Sequence, residues 1–137
     1  MPDSDSIRTA RDIIAKSHYC TALTGAGVSA GSDIPCFRGR GGIWQKYDPA
    51  LAGIEMFRKD PGRVWEMARE LIALAGSAAP NRAHCSLAAM EKGGLLKGLV
   101  TQNIDGLHQR AGSRSVIELH GSVMTLRCLE CRSDFDL

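Results

Sequence analysis

The sequence has 137 residues, of which 44% are hydrophobic, and a formal net charge of +2. This length suits a single domain, the apolar content excludes wholesale disorder, and the small charge gives no electrostatic basis for nucleic-acid binding. No apolar run approaches the roughly 18 residues of a membrane span, and residues 1–17 lack the apolar core of a signal peptide. We therefore expect a cytoplasmic protein without a membrane partner.

The first third of the chain predicts a helix, a strand and a loop. Ser6 is a candidate N-cap for a helix that runs to about Ser17. Residues 19–24 are rich in strand formers and run into Gly25, which predicts a buried strand followed by a tight turn. Residues 35–47 are rich in glycine and predict a loop.

Three helices are predicted in the middle of the chain. One spans residues 49–58, and a second runs from Pro61 to about Ala75 with Asp60 as its cap. The third is capped by Asn81, continues to about Lys92 and ends at a glycine pair.

Short apolar segments predict strands at residues 99–102, 116–119 and 123–127. Because strands alternate with helices, we predict an α/β fold with a parallel sheet.

A glycine-rich segment follows the first predicted strand. Gly25, Gly27 and Ala30 fit the G-x-G-x-x-G/A dinucleotide pattern. In that pattern Gly25 permits a sharp turn, Gly27 lets the backbone approach a pyrophosphate, and the small Ala30 allows close helix–strand packing. A plain connecting turn is an equally good explanation of the glycines alone. The acid that dehydrogenases place about 20 residues later is missing, which disfavours hydride transfer.

Five cysteines are present, and only Cys128 and Cys131 have the spacing of metal ligands. Cys20, Cys36 and Cys85 are interpreted as isolated reduced thiols. A single C-x-x-C is half of a structural zinc site, and taken alone it also fits a redox pair.

Several motifs in chain order resemble the signatures of the sirtuin family. They are Gly25-Ala-Gly-Val-Ser-Ala-Gly-Ser-Asp-Ile-Pro-Cys-Phe-Arg-Gly39, Pro80-Asn-Arg-Ala-His84, Thr101-Gln-Asn-Ile-Asp-Gly-Leu-His-Gln-Arg-Ala-Gly112, Glu118-Leu-His-Gly-Ser122 and Cys128-Leu-Glu-Cys131. The resemblance implies an NAD-dependent protein-lysine deacetylase, which transfers the acetyl group of an acetylated protein or peptide to ADP-ribose and releases nicotinamide.

The resemblance also implies the roles of individual residues. His120 is the candidate general base, an imidazole with a reference pKa of about 6.5. A hydrogen-bonded core residue is the alternative for a lone histidine. The candidate contacts to NAD are Gly25, Ala26, Gly27, Ala30, Phe37, Arg38, Gln102, Asn103, Ile104 and Asp105.

Some of these residues have structural alternatives. Phe37 and Arg38 suit a packed aromatic and a solvated arginine, and Asp105 suits a helix cap. His84 and His108 are assigned to packing and capping, and His18 to the surface. Asp33 stands where the family usually has glycine. We place Asp33 at the start of a short helix, where its charge would weaken NAD binding slightly.

The implied organisation is a Rossmann-like NAD-binding domain over residues 1–122, with helices on both faces of its sheet, and the beginning of a small zinc module over residues 123–137. We expect the chain to be the N-terminal part of a sirtuin, inactive by itself, because the family supplies a second cysteine pair later. A non-catalytic NAD- or ADP-ribose-binding module, a mono-ADP-ribosyltransferase and an interaction-only remnant are the alternatives.

Overall fold

A computed structural model describes residues 4–137. Its centre is a parallel sheet of three strands in the order β1-β2-β3. The strands are β1 (Cys20–Thr24), β2 (Leu96–Thr101) and β3 (Val116–Glu118). All three were predicted, although β2 begins three residues earlier than expected.

The carboxyl ends of the three strands are aligned. In the strand register Thr24 lies opposite Thr101, and Thr101 lies opposite Glu118. The segments that follow the strands therefore emerge at one edge of the sheet, which is where open parallel sheets bind ligands.

Six α-helices and three short 3₁₀ helices are present among residues 4–137. The α-helices are α1 (Ser4–Lys16), α2 (Ala26–Ser29), α3 (Ile54–Lys59), α4 (Pro61–Ser77), α5 (Arg82–Lys92) and α6 (Leu107–Arg110). The 3₁₀ helices span Ala30–Ser32, Ile43–Gln45 and Pro49–Ala52.

The predicted caps of α4 and α5 are confirmed. The Asp60 carboxylate accepts a hydrogen bond from the Arg63 amide at the start of α4. The Asn81 side chain accepts one from the Ala83 amide, and the Asn81 amide donates to His84 Nδ1. Two amides that the first turn of α5 leaves without helical partners are satisfied in this way.

Two helix predictions are wrong in detail. Ser6 lies inside α1 and is not its cap. The predicted helix over residues 49–58 is divided at Gly53, whose extended backbone (φ −95°, ψ 144°) ends the 3₁₀ helix and begins α3.

Only the central strand is well buried. Leu96 and Leu99 of β2 are 3% and 0% exposed, whereas Leu23 of β1 and Ile117 of β3 are 68% and 60% exposed. The prediction that β1 is buried is therefore wrong for the face of the sheet that carries Leu23 and Ile117.

A separate antiparallel hairpin ends the chain. It pairs β4 (Thr125–Arg127) with β5 (Asp134–Asp136). A strand was predicted at residues 123–127, where β4 lies, whereas β5 was not predicted. The Arg127 guanidinium donates two hydrogen bonds to Asp134 across the pair. None of the helices within residues 4–137 has the length and apolar character needed to cross a membrane.

Candidate functional site

The predicted site segments follow the three aligned strand ends. The turn at Gly25 follows β1, residues 102–105 follow β2, and His120 follows β3. The Gln102 amide donates to Thr24 O at 3.0 Å, and the Leu119 amide donates to Thr101 O at 2.9 Å. The parallel ladder thus continues past each strand and fixes where these segments leave the sheet.

The glycine turn differs from the predicted mechanism at its first position. Gly25 has an extended backbone (φ −144°, ψ −171°) that any residue adopts, so it does not provide a sharp turn through special dihedrals. A Cβ added to Gly27 would meet nothing within 4 Å. The main chain at Gly27 is therefore open to a close approach by a ligand, as the pattern requires.

Ser29, and not Ala30, makes the tight contact between this turn and the sheet. Ala30 is exposed, so the predicted role of its small side chain in close helix–strand packing is wrong. Ser29 is 1% exposed. Sequence reasoning missed it, although its position within the glycine pattern was a usable signal.

Ser29 is the centre of a buried polar network. Its hydroxyl donates to Asp105 Oδ2 at 2.7 Å and accepts from Asn103 Nδ2 at 2.9 Å. Asn103 Nδ2 also donates to Gly25 O at 3.2 Å, while Asp105 Oδ1 accepts from the Leu107 amide at 3.0 Å. Asp105 therefore binds the first amide of α6 and joins the network, which fixes both side chains that follow β2.

Two buried histidines extend this network. His84 Nδ1 accepts from the Asn81 amide, so in a neutral ring the proton is on Nε2, which lies 3.5 Å from Ser29 Oγ. His108 Nε2 lies 2.9 Å from Thr24 Oγ1, and the two imidazole rings meet edge to face at 4.8 Å. Burial lowers the pKa of both histidines. The capping role predicted for His84 is confirmed, and His18 is exposed as predicted.

An open cleft lies against this network. Its walls combine Ser29 with apolar side chains of α4 and of the loop after Pro35. Five of the predicted cofactor residues line it, namely Ala26, Phe37, Asn103, Ile104 and Asp105. The other five predicted cofactor residues are within the described residues but do not line the cleft, namely Gly25, Gly27, Ala30, Arg38 and Gln102.

The loop carrying Phe37 and Arg38 is folded onto itself. The Ile43 amide donates to Cys36 O, the Trp44 amide donates to Phe37 O, and the rings of Phe37 and Trp44 lie 5.1 Å apart. Gly42 is required here, because a Cβ at this position would come within 2.8 Å of Phe37 O. Arg38 is exposed.

His120 occupies an exposed turn directly after β3 and does not line the cleft. The next residue, Gly121, has a left-handed backbone (φ 72°) that disfavours residues with a side chain. The turn places His120 at the edge of the sheet where the three strands end.

The position of Asp33 corrects the sequence interpretation. Asp33 follows the 3₁₀ helix Ala30–Ser32 at its C-terminal end, with a left-handed backbone (φ 62°). Glycine is the residue that such a conformation favours, and aspartate is among the residues that tolerate it best. The predicted position at a helix start is therefore wrong, while the effect of the Asp33 charge on NAD binding stays a prediction.

The two cysteines of the C-x-x-C motif lie around the turn that joins β4 to β5. A hydrogen bond with Ser133, 3.3 Å from the Cys131 sulfur, contributes most to lowering the pKa of the Cys131 thiol to about 7, with a further contribution from Cys128. The Cys131 thiol thus suits metal binding, since the thiolate is the ligand form. No group of three or more potential metal ligands is present among residues 4–137.

Comparison with known proteins matches this arrangement to a family. A model of the Sir2 family matches residues 25–137. The chain belongs to the Sir2 family. The predicted family and its α/β, Rossmann-like fold are thereby confirmed.

Individual members of the Sir2 family are similar over nearly the whole chain. An NAD-dependent protein deacetylase of Sulfurisphaera tokodaii is 52% identical over 125 residues, covering 91% of this chain and 50% of its own. A Sir2 homolog–NAD complex superposes with a TM-score of 0.86 at 47% identity, over 100% of this chain and 52% of that one.

A Sir2 mutant with a deacetylated p53 peptide and 3′-O-acetyl ADP-ribose has a TM-score of 0.89 at 42% identity, over 95% of this chain and 53% of that one. The chain therefore spans about half the length of the relatives that it matches.

Proposed function

We propose that the protein is an NAD-dependent protein-lysine deacetylase whose NAD site is formed in part by this chain. The observation that carries the proposal is the convergence of the glycine turn, residues 102–105 and His120 at one edge of the parallel sheet. The names of the relatives, and the NAD and acetyl-ADP-ribose in the structures of related proteins, support the same reaction class.

The cleft has the chemistry expected of the nicotinamide–ribose end of NAD. A polar floor of Asn103 and Asp105 faces an apolar wall that includes Phe37 and Ile104. Such a mixture of apolar walls and a few fixed polar groups is typical of cofactor pockets. We propose that Asn103 and Asp105 orient the ribose and carboxamide, while Phe37 shields the reacting carbon from water.

The remaining predicted contacts lie around this cleft. Gly27 gives the pyrophosphate access to the main chain, with Gly25, Ala26 and Ala30 forming the same turn. Arg38 is free to reach a phosphate, and Gln102 is an exposed side chain beside Gly25. These assignments place the diphosphate above the carboxyl end of β1.

NAD, when bound, supplies an electrophilic ribose carbon that accepts the acetyl-lysine oxygen as nicotinamide leaves. We propose His120 as the general base that takes a proton from a ribose hydroxyl. Its exposed position after β3 leaves the imidazole accessible, and Gly121 leaves space beside the ring. The acetylated lysine of a protein or peptide is the proposed substrate.

We also propose that Cys128 and Cys131 supply two ligands of a structural zinc ion. Zinc in structural sites has four protein ligands, and the other two are not among residues 4–137 as folded here. The zinc would fix the β4–β5 hairpin and has no step in the reaction. The division into an NAD-binding domain (residues 1–122) and the start of a zinc module (residues 123–137) stays a prediction. The cytoplasmic location also stays a prediction.

Mass spectrometry of the reaction products tests the proposed function. An acetylated peptide and NAD are incubated with the 137-residue chain and with any longer product of the same gene. The expected products are free nicotinamide and O-acetyl-ADP-ribose. The chain alone is predicted to lack turnover, so its NAD binding is measured separately by calorimetry.

His120→Ala provides the matched variant. In the longer product we expect it to lower turnover by about 10²–10⁴-fold, the usual loss with a general base, and to leave NAD binding and the melting curve unchanged because the side chain is exposed. Near wild-type turnover in this variant would contradict the role of His120. NAD binding without turnover in any form would indicate a binding module, and ADP-ribose attached to a protein would indicate a transferase.

A further inference from the structure

The glycine-rich loop of residues 36–47 is a compact unit in which local hydrogen bonds close the chain. The Ile43 and Trp44 amides donate to the carbonyls of Cys36 and Phe37, and the Gly41 amide donates to the Gln45 side chain. These bonds fix the internal shape of the loop. They do not determine how the loop is held against the rest of the protein.

The far end of the loop is attached to α4 through one carboxylate. Lys46 Nζ forms an ion pair with Glu70 Oε2, and Tyr47 OH donates a 2.6 Å hydrogen bond to the same oxygen. Within residues 4–137, these are the side-chain hydrogen bonds that join the loop to α4. We call Lys46, Tyr47 and Glu70 the clasp.

The protonation states of the clasp agree with this geometry. Hydrogen bonds from Lys46 and Tyr47 lower the pKa of Glu70, and the bond to Glu70 raises the pKa of both Lys46 and Tyr47. Near neutral pH the clasp therefore holds a carboxylate, an ammonium and a neutral phenol. The groups are partly exposed, so their contribution is that of a surface ion pair with one additional hydrogen bond.

The clasp joins the two elements that supply opposite walls of the cleft. The residue after Glu70 is Leu71, which lines the cleft with Leu74 of the next turn of α4. The loop supplies the facing side chains Phe37 and Ile43. A contact between Glu70 and the end of the loop therefore sets the separation of these walls.

We propose that Glu70 is a positioning residue, which holds the glycine-rich loop across the cleft through Lys46 and Tyr47 and so preorganises Phe37 for NAD. Glu70 does not line the cleft and is assigned no contact with NAD. Its effect is on affinity, because an unfastened loop must be ordered when NAD binds and that ordering reduces the free energy of binding. The inference rests on the proposed NAD site.

Hydrogen exchange and calorimetry on the same variants test this role. Glu70→Gln keeps the size of the side chain and removes its charge, and Glu66→Gln makes the same change at an exposed glutamate one turn earlier in α4. We expect Glu70→Gln to accelerate exchange of the Ile43 and Trp44 amides and to weaken NAD binding, each by roughly three- to tenfold. Glu66→Gln should leave both unchanged.

Tyr47→Phe separates the clasp from a general effect on α4. It should give a partial effect on both exchange and affinity. The double variant should be no worse than Glu70→Gln alone, because Glu70→Gln already disrupts the contact that Tyr47→Phe removes. Unchanged loop exchange in Glu70→Gln, or faster exchange with wild-type NAD affinity, would overturn the proposal. If neither the wild-type chain nor the longer product binds NAD, the proposed function fails, and the exchange rates still decide whether Glu70 holds the loop.

Discussion

Ser29 determines the arrangement of the polar groups at the strand ends. Asn103 donates to its hydroxyl, and the hydroxyl in turn donates to Asp105, so the two side chains proposed to orient NAD are held through one oxygen. Buried donors and acceptors without partners are costly, and the loss of one shared hydroxyl affects both neighbours.

Ser29→Ala should therefore lower the free energy of unfolding by about 1–3 kcal/mol, the cost of leaving buried groups unsatisfied. Denaturant unfolding followed by circular dichroism measures this change. Ser86→Ala is the control, because Ser86 is exposed in α5 and should tolerate the change within about 0.5 kcal/mol. A neutral Ser29→Ala would show that Asn103 and Asp105 are held by other contacts.

The residues that sequence reasoning missed are those whose role depends on distant partners. Ser29 is bonded to Asn103 and Asp105, which are 74 and 76 residues away. No local periodicity contains that information. His120 and the glycine turn could be singled out as candidates because their motifs are contiguous, whereas the exposure of Ala30 could be known only once the fold had been seen.

At the scale of single elements, the cap of α5 depends on the protonation state of His84. Its first turn requires His84 Nδ1 as an acceptor, so protonation of that nitrogen is incompatible with the bond from Asn81. His108 faces the same ring, and Asp105 partly opposes the effect of burial on both histidines. The folded protein therefore favours neutral histidines.

Acid should destabilise the fold through these residues. Their pKa values are lowered in the folded state relative to about 6.5, the histidine pKa in an unfolded chain. Below that pH the unfolded chain binds more protons than the folded protein, so stability decreases as the pH decreases. We expect the unfolding free energy to decrease as the pH falls from about 6.5, and His84→Asn to reduce that slope. His18→Gln should not change it, because His18 is exposed. Equal slopes in all three proteins would exclude the coupling.

The β4–β5 hairpin carries the prediction about metal. With two thiols on one turn and no third ligand group among residues 4–137, we expect the monomeric chain to bind zinc weakly. Two chains could share one ion through four thiolates. Zinc titration against a competing chelator, combined with size measurement, checks this, and the control is Cys85→Ser, a change at an exposed cysteine outside the motif. Tight stoichiometric zinc in a monomer would contradict the expectation.

Elements with local signals were predicted better than those that depend on partners. Asp60 and Pro61 mark the start of α4, and Asn81 marks that of α5, because capping requires only nearby atoms. The break at Gly53 was missed because an apolar pattern continues across it. Strand β5 was missed because Asp134-Phe135-Asp136 has little strand signal and depends on pairing with β4.

For the whole molecule, the main feature is an uncovered face of the sheet. Leu23 and Ile117 lie in one row with Val100 between them, and both are largely exposed. Parallel sheets are normally covered on both faces, and apolar patches of this kind promote association. The chain by itself is therefore expected to aggregate.

Replacing Leu23 and Ile117 by threonine should reduce that association, because threonine keeps strand propensity while removing apolar surface. Light scattering against concentration measures the effect, with the melting temperature as a check on the fold. Leu99→Thr is the contrasting variant, since Leu99 is completely buried and its loss should unfold the chain. Unchanged scattering in the double variant would show that association involves another surface.

The pairing of β1 with β2 also has a consequence for synthesis of the protein. Thr24 and Thr101, whose hydroxyls are hydrogen-bonded, are separated by 77 residues. A ribosome adding about 5–20 residues per second needs roughly 4–15 s to cover that distance. Throughout that interval β1 has no partner strand, so its backbone donors and acceptors stay open to other pairings during translation.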